Sequence, residues 1–365
     1  MGRIDDLIQQ YCPEGVPMVN LGEVCLSIKT GKLNANAKEE NGQYPFYTCD
    51  AEPYRINTYA FDCEAILVTG NGSQVGHINY YKGKFNAYQR TYVLSKFDES
   101  INIFYALHYF KAYLKDYILL NSKKGSIPYI TLPMLLEFQI SLPPLPVQEA
   151  IVEILEKFDR LSAELQAELQ ARKQQYEYYR NQLLTRFAPE QPVTEYSLEE
   201  LARIKNGRDY KHLNDGDIPV YGSGGVMTYK DAFTYDKPSV LLPRKGSIDK
   251  VFYTDNPFWN VDTVYYTEIN NSIIIPKYLF YCFSNIDLAK YNTAAGAIPS
   301  LTQKVLNAIT FNVPSLEEQA RIVAILDKFE ALVNDLSQGL PAEIAAVQEQ
   351  YEYYRNKLLT FKTKE

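Results

Sequence analysis

The residues able to do chemistry are few and badly spaced for catalysis. His77, His108 and His212 are the imidazoles of the chain, and none stands at a metal-ligand spacing from another, so each reads as a surface or packing residue. There is no GxSxG nucleophile elbow and no GxxxxGK(S/T) phosphate loop. The run Gly70-Asn71-Gly72-Ser73-Gln74-Val75-Gly76 stops one residue short of a dinucleotide fingerprint, no helix pattern follows it, and it reads as a turn. Asn256-Pro257-Phe258-Trp259 lacks the second proline of an Asn-Pro-Pro-aromatic amine-methylating loop and has no cofactor-binding glycine motif before it; it reads as a loop. No carboxylate–lysine set of nuclease type stands out. The chain is expected to be non-catalytic, with no metal and no cofactor of its own.

What remains is recognition chemistry. Several loops mix amide, basic and aromatic side chains: Lys29-Thr30-Gly31-Lys32-Leu33-Asn34, Asn86-Ala87-Tyr88-Gln89-Arg90, Asn206-Gly207-Arg208-Asp209-Tyr210-Lys211-His212 and Arg244-Lys245-Gly246-Ser247. Arginine pairs bidentately with guanine, asparagine and glutamine with adenine, and lysine or a glycine-flanked amide suits phosphate. A solvated polar loop accounts for any one of these stretches alone; on two blocks held apart they point to two-site reading of double-stranded DNA. The candidate contacts are Lys29, Lys32, Asn34, Gln74, His77, Gln89, Arg90, Lys123 and Lys124 in the first block. Those in the second are Lys205, Asn206, Arg208, Tyr210, Lys211, Arg244, Lys245, Ser247 and Asn260. Tyr92 and Tyr265 lie in strand patterns and are expected in the core.

The elements that must position these loops come in two sets. Tyr176-Glu177-Tyr178-Tyr179-Arg180-Asn181-Gln182-Leu183-Leu184-Thr185 returns as Tyr351-Glu352-Tyr353-Tyr354-Arg355-Asn356-Lys357-Leu358-Leu359-Thr360, identical at nine of ten positions. Gly125-Ser126-Ile127-Pro128 and Gly296-Ala297-Ile298-Pro299, like Gln148 and Gln319, are 171 residues apart, whereas the tyrosine motifs are 175 apart. The chain is therefore a tandem of two similar units, the second with four residues more in its helix.

Residues 1–15 read as a short helix ended by Pro13 and Gly15. Residues 16–146 form a mixed α/β block with strands such as Ala65-Ile66-Leu67-Val68 and Thr91-Tyr92-Val93-Leu94, and a late helix from Ile103 to Leu120. Residues 147–187 carry no Gly or Pro. They place Ile154, Phe158, Leu161, Leu165, Leu169, Arg172, Tyr176, Tyr179 and Leu183 at steps of three and four, a heptad seam with one stutter. A helix of about 40 residues is about 60 Å long and needs a partner.

Residues 188–192 are a linker. The second block has strands such as Ser239-Val240-Leu241-Leu242 and a late helix from Pro276 to Phe283. A second seam runs through Ile325, Phe329, Leu332, Leu336, Leu340, Ile344, Val347, Tyr351, Tyr354 and Leu358, with Gly339 and Pro341 expected to kink or break it. From chain order, paired helices must run antiparallel with a block at each end, a dumbbell with a pseudo-twofold axis.

Bulk composition agrees with a folded protein. The chain of 365 residues is 46% hydrophobic and 22% charged, with 31 tyrosines. A net charge of −7 argues against a general nucleic-acid coat. Five cysteines at irregular spacing without CxxC suggest reduced thiols and a cytoplasmic setting, and neither a signal peptide nor an uncharged apolar run of membrane-spanning length is seen.

The chain closely resembles the specificity (S) subunit of type I restriction-modification systems. The match is carried by Leu142-Pro143-Pro144-Leu145-Pro146-Val147-Gln148-Glu149 into Ile151-Val152-Glu153-Ile154-Leu155, by Ala171-Arg172-Lys173-Gln174-Gln175 into the tyrosine motif, and by second copies from Val313-Pro314-Ser315-Leu316-Glu317-Glu318-Gln319 and Gln350-Tyr351. Gly83-Lys84-Phe85-Asn86-Ala87-Tyr88-Gln89-Arg90 resembles one class of the family's target recognition domains. The resemblance implies an α+β (mixed) fold: two globular α/β target recognition domains (1–146, with a short N-terminal helix, and 188–314) joined by two conserved spacer helices (147–187, and 315–365 with the tail) that form an antiparallel coiled coil, a pseudo-twofold internal repeat. Each domain would read one half of a bipartite, asymmetric DNA target. It also implies two methyltransferase (M) subunits and restriction/translocase (R) subunits as partners, with S-adenosylmethionine, ATP and Mg²⁺ on those partners. Tyr178 and Tyr353 lie off the seam and, with Arg180 and Arg355, are candidate partner-binding residues, for the M subunits or for the neighbouring recognition domain. A non-catalytic, protein-binding coiled-coil scaffold is the alternative, and a pair of carbohydrate-binding modules a weaker one.

Overall fold

The computed structural model describes residues 2–122, 128–294, 298–335 and 338–364. It divides into two compact units, Met1–Glu164 with Ile344–Glu365, and Leu165–Glu343.

Unit 1 begins with α1 (Gly2–Tyr11), β1 (Met18–Asn20) and the one-turn α2 (Leu21–Val24), then β2 (Cys25–Thr30), β3 (Tyr44–Tyr47), β4 (Tyr54–Ile56), β5 (Phe61–Thr69), β6 (Ile78–Ala87) and β7 (Thr91–Phe97). These are followed by α3 (Ile103–Asn121), α4 (Leu132–Leu136), β8 (Gln139–Ser141) and the long α5 (Leu145–Thr185). The sheet order is β2-β7-β5-β6-β3-β4, antiparallel except where β3 runs parallel to β6, with Phe46 opposite Asn86 and Tyr47 opposite Ala87. The run Ala65-Ile66-Leu67-Val68 is apolar throughout because β5 is covered on both faces. Ile66 and Val68 join the core under α3, while Ala65 and Leu67 join a second cluster with Phe85 and Val93. Asn102 caps α3, accepting from the Phe104 and Tyr105 N–H groups.

The first turns of α5 dock on this core through Val147, Ile151 and Leu155. Phe158 then packs against Tyr351 and stacks with Tyr354, ring centroids 6.1 and 5.7 Å apart, on the last helix, α10 (Leu340–Leu359). Beyond α10, Thr363 forms a parallel bridge with Val16: Val16 N–H donates to Lys362 O at 2.8 Å and Lys364 N–H to Val16 O at 3.0 Å. Gly15, at φ +104°, permits this, since a Cβ there would fall 2.6 Å from Lys362 O.

Unit 2 repeats the order of elements. It contains β9 (Thr194–Ser197), α6 (Leu198–Leu201), β10 (Ala202–Asn206), β11 (Asp215–Gly222), β12 (Gly225–Lys230), β13 (Ser239–Pro243), β14 (Phe252–Thr254), β15 (Trp259–Asn260) and β16 (Val264–Ile269). After these come α7 (Pro276–Ser284), α8 (Gln303–Asn307), β17 (Thr310–Val313) and α9 (Leu316–Asn334). Its sheets run β10-β16-β13-β14 and β12-β11-β15, the β11/β15 pair parallel as β3/β6 is in unit 1. The C-terminal part of α5 packs here: Tyr176 and Leu184 are buried, and the Tyr179 and Phe329 rings lie 5.9 Å apart.

Each unit is locked by one buried glutamine at the start of its docking helix. Gln148 Nε2 donates to Ser100 O and Pro143 O at 2.8 and 2.7 Å, and its Oε1 accepts from Asn102 N–H at 2.8 Å. Gln319 does the same with Ile273 O, Pro314 O and Ile275 N–H, at 2.9, 2.9 and 2.8 Å.

The second seam is broken as Gly339 and Pro341 lead one to expect, α9 ending at Asn334 and α10 beginning at Leu340. The stripe itself needs a correction. Leu161, Tyr179 and Leu332 are 41%, 42% and 39% exposed, whereas Val333, one position on, is 1% exposed. The helices turn their deepest row, Ile322, Leu326 and Val333 in α9, to the core of the unit itself, one step round from the predicted stripe. Leu336, Gly125–Ile127 and Gly296–Ala297, named in the seam and repeat readings, lie outside the described residues. Asn256–Trp259 is no free loop, since Phe258 bridges Tyr235 and both Phe258 and Trp259 are buried.

Candidate nucleic-acid interface

In unit 1 the chain leaving β2 is pressed against the end of β6. A Cβ on Gly31 would fall 1.7 Å from Ala87 O, so only glycine fits. Leu33 then bridges Tyr88, and Gln89 N–H donates to Leu33 O at 2.9 Å. Gly70, at the end of β5, donates its N–H to Arg90 O at 2.8 Å, and its own carbonyl accepts from Ile130 N–H at 2.8 Å. The result is a cleft of about 280 Å³ lined by Thr30, Gly70, Asn71, Gln89, Arg90 and Tyr129, with Tyr92 and Ile130 at its floor. Asn34, Gln89 and Arg90 are exposed, and Gln89 Nε2 donates to Asn34 Oδ1 at 3.0 Å.

Unit 2 builds the same address from different side chains. A Cβ on Gly207 would fall 2.0 Å from Val261 O. Arg244 N–H donates to Thr263 O, as Gly70 does to Arg90 O, and Leu301 N–H donates to Arg244 O. Tyr92 and Tyr265 are matched as well, their hydroxyls donating to Ile130 O at 3.2 Å and Leu301 O at 3.4 Å. Burial pushes both hydroxyls above the ordinary tyrosine range, with Arg244 pulling Tyr265 back. Arginines thus stand at this address on opposite strands: Arg90 follows β6 in unit 1, and Arg244 follows β13 in unit 2. The Arg244 guanidinium lies 5.9 Å from the Tyr265 ring, and its Nη1 donates to Asp262 O at 3.1 Å. Beside it, Tyr210, Lys211, Gly222, Ser223, Met227 and Asp262 are among the residues lining a cleft of about 610 Å³.

The remaining candidates are placed less uniformly. Lys29 lies on β2 opposite Val93, exposed like Lys32. Gln74 and His77 line a separate cleft of about 250 Å³ with Lys111 and Lys115 of α3. Lys205 is paired with Glu268 at 3.5 Å, Asn206 accepts from Gln303 Nε2 at 3.3 Å, and Arg208 gives its carbonyl to Trp259 Nε1 at 3.1 Å, leaving its side chain exposed. Lys245 bridges Ser300, and Ser247 is half-buried after Gly246 at φ +88°. Lys123 and Lys124 lie outside the described residues. Asn260 departs from expectation: it is 0% exposed and its Nδ2 donates to Val264 O at 2.8 Å, so it fastens a strand end and faces no solvent.

The sequence reading missed Asn71, Tyr129, Lys111 and Lys115. Only the last two carried a local signal, a basic pair one helical turn apart.

Of the four candidate partner-binding residues, Tyr178 and Tyr353 are 59% and 62% exposed, each set edge-on against the next tyrosine. Arg180 and Arg355 instead turn back over Tyr176 and Tyr351, at 5.2 and 5.6 Å, and Arg180 Nε reaches Asn285 Oδ1 at 3.4 Å. In unit 1, burial brings the His108 imidazole near Arg355 and down to about 4, against the pull of Asp159 and helped by the positive charges of Lys111 and Arg355. In unit 2, burial with Asp327 and Glu330 pushes the Tyr281 hydroxyl far up, and that hydroxyl donates to both carboxylates.

A family profile described as "Type I restriction modification DNA specificity domain" matches residues 13–172 and again residues 190–346. The chain belongs to the family of type I restriction-modification specificity subunits. It is similar to a Haemophilus influenzae protein provisionally named a type I restriction enzyme specificity subunit, at 28% identity over 88% of this chain and 89% of that one. A Mycoplasma pneumoniae protein provisionally named a type I specificity subunit is 30% identical over 84% of this chain and 96% of its own length. The Escherichia coli EcoR124I/EcoR124II specificity subunit is 34% identical over 60% of each chain. The fold is shared with the crystal structure of an S subunit from M. genitalium, at a TM-score of 0.64 and 18% identity over 94% of this chain and 96% of that one. No helix among the described residues is long and apolar enough to cross a membrane.

Proposed function

We propose that this specificity subunit reads a bipartite, asymmetric DNA target, one half-site per unit. The observation that carries this is the shared address: a similar backbone scaffold, with Gly31 and Gly207 each pressed on a carbonyl at a strand end, is furnished with Asn34, Gln89 and Arg90 in one unit and Tyr210, Asp262 and Arg244 in the other. One scaffold with two inventories suits two different half-sites. Residues 1–146 and 188–314 then act as target recognition domains. Residues 147–187 and 315–365 act as spacer helices in an antiparallel coiled coil with pseudo-twofold symmetry, which sets the unread gap. The Phe158–Tyr354 and Tyr179–Phe329 contacts support that pairing.

The chain itself catalyses nothing. It recruits two methyltransferase subunits and restriction/translocase subunits in the cytoplasm, and S-adenosylmethionine, ATP and Mg²⁺ belong to those partners. Tyr178 and Tyr353 are proposed as partner contacts. Adenine-methylation mapping of cells with and without this chain tests the reading. A two-part motif methylated only when the chain is present is expected; unchanged methylation, with no sequence-dependent gel shift by the complex with methyltransferase subunits, would leave the protein scaffold as the better account.

A further inference from the structure

The address in unit 1 holds a donor–acceptor pair set in advance. Gln89 Nε2 donates to Asn34 Oδ1, and both side chains are exposed. That bond leaves Gln89 Oε1 as an acceptor and Asn34 Nδ2 as a donor. Their carriers are stiff: Gln89 N–H is bonded to Leu33 O, Leu33 is bridged to Tyr88, and Gly31 allows no gap between the two segments. Neither amide can turn over without breaking the bond between them, and neither carrier can drift without losing backbone hydrogen bonds. Arg90, the next residue, is exposed and is held through its carbonyl by Gly70 N–H.

We propose that the Asn34–Gln89 pair reads an adenine, and Arg90 an adjacent guanine, in the half-site of unit 1; this rests on the DNA-reading function proposed above. The major-groove edge of adenine offers the N7 acceptor and the N6 amino donor, the complement of Asn34 Nδ2 and Gln89 Oε1. Guanine offers two acceptors there, so Gln89 Oε1 would face another acceptor. Thymine offers one acceptor and a methyl group, and cytosine only a donor. The guanidinium fork of Arg90 suits guanine O6 and N7. At the corresponding positions unit 2 carries other side chains: Tyr210 stands three residues beyond its close-packed glycine where Asn34 does in unit 1, and Asp262 precedes Thr263 as Gln89 precedes Arg90.

The test is binding-site selection from a random duplex pool by the full chain co-purified with methyltransferase subunits. Arg90→Ala and Arg244→Ala first assign each half-site to its unit, each relaxing a different half. Asn34→Asp is the decisive variant, because it keeps an acceptor for Gln89 Nε2 but replaces the free donor with an acceptor. It is expected to lose adenine preference at one position by about 5- to 150-fold, the range of a good bidentate contact, with every other position unchanged. Should Asn34→Asp fail to fold in a thermal melt, Gln89→Met keeps side-chain length and all the backbone bonds and is expected to give the same loss. An intact adenine preference in these variants overturns the proposal, as does a wild-type unit 1 half-site without an adenine beside the guanine that Arg90→Ala relaxes. If the wild-type complex selects no motif, the DNA-specificity reading itself fails.

Discussion

Replacing Gln148 with leucine removes three hydrogen bonds of 2.7–2.8 Å from a site that is 0% exposed. Ser100 O, Pro143 O and Asn102 N–H lose their partner together, and a side chain of similar volume leaves no room for water to replace it. A buried polar group left unpaired costs about 1–3 kcal/mol. Asn102 also caps α3 through its side chain, so a shift of its backbone weakens that cap. Allowing for partial relaxation, Gln148→Leu is expected to cost about 3–5 kcal/mol, a large fraction of a domain's usual total of about 5–15 kcal/mol.

The assay is urea unfolding followed by two probes. Far-UV circular dichroism sees both units, whereas the single tryptophan, Trp259, is buried in unit 2. Gln148→Leu should move part of the dichroism transition to lower urea and leave the tryptophan transition nearly in place; Gln319→Leu should move the tryptophan transition. A Gln148→Leu midpoint indistinguishable from wild type would refute the view that these glutamines lock the helices to the units.

Four other outcomes are expected. Deleting one four-residue repeat from Ser162-Ala163-Glu164-Leu165-Gln166-Ala167-Glu168-Leu169 shortens α5 by about 6 Å, against about 3.4 Å per base pair, so methylation mapping should find the gap changed by about one or two base pairs and both half-sites kept. Gly31→Ala forces a methyl group into Ala87 O and should abolish recognition of one half-site only, read by binding-site selection, with Gly207→Ala affecting the other half. Because the folded His108 imidazole titrates at about 4, against an ordinary value of 6.5, the unfolded chain takes a proton that the folded one refuses. Stability should therefore be complete above pH 6.5 and fall by up to about 3 kcal/mol between there and pH 4, a slope that His108→Phe removes in thermal melts at stepped pH. Tyr178→Ala and Tyr353→Ala should weaken co-purification of methyltransferase subunits while leaving unfolding midpoints unchanged.

The tandem architecture was legible because repeats and helical periodicity are local signals: the twin tyrosine motifs, the 171-residue spacing of Gln148 and Gln319, and the break at Gly339 and Pro341 all stand in the chain itself. The face of each helix was less so. Leu332 and Val333 are equally apolar, and only packing on α9's own unit decides that Val333 goes in. At the address, Gln89 and Arg90 were visible as residue types, but the Asn34–Gln89 bond joins residues 55 apart and exists through strand register. Asn260 illustrates the converse. An amide beside an aromatic looks like a base reader until the short β15 strand buries it and the Val264 carbonyl claims the donor.

The bridge between Val16 and Thr363 bears on the order in which the protein assembles. Unit 2 is one unbroken stretch, Leu165–Glu343, whereas unit 1 needs residues from both sides of it. Leu358 and Leu359, at 3% and 1% exposure, belong to the unit 1 core, and Tyr351 and Tyr354 pack against it. On the ribosome, therefore, the segment made first is completed last. While unit 2 closes on local contacts, Phe158 and the Val16 edge wait for α10, with a long span of intervening chain as the loop to be closed. Synthesis halted near residue 343 would release a finished unit 2 beside an uncovered unit 1, the species most exposed to aggregation and proteolysis.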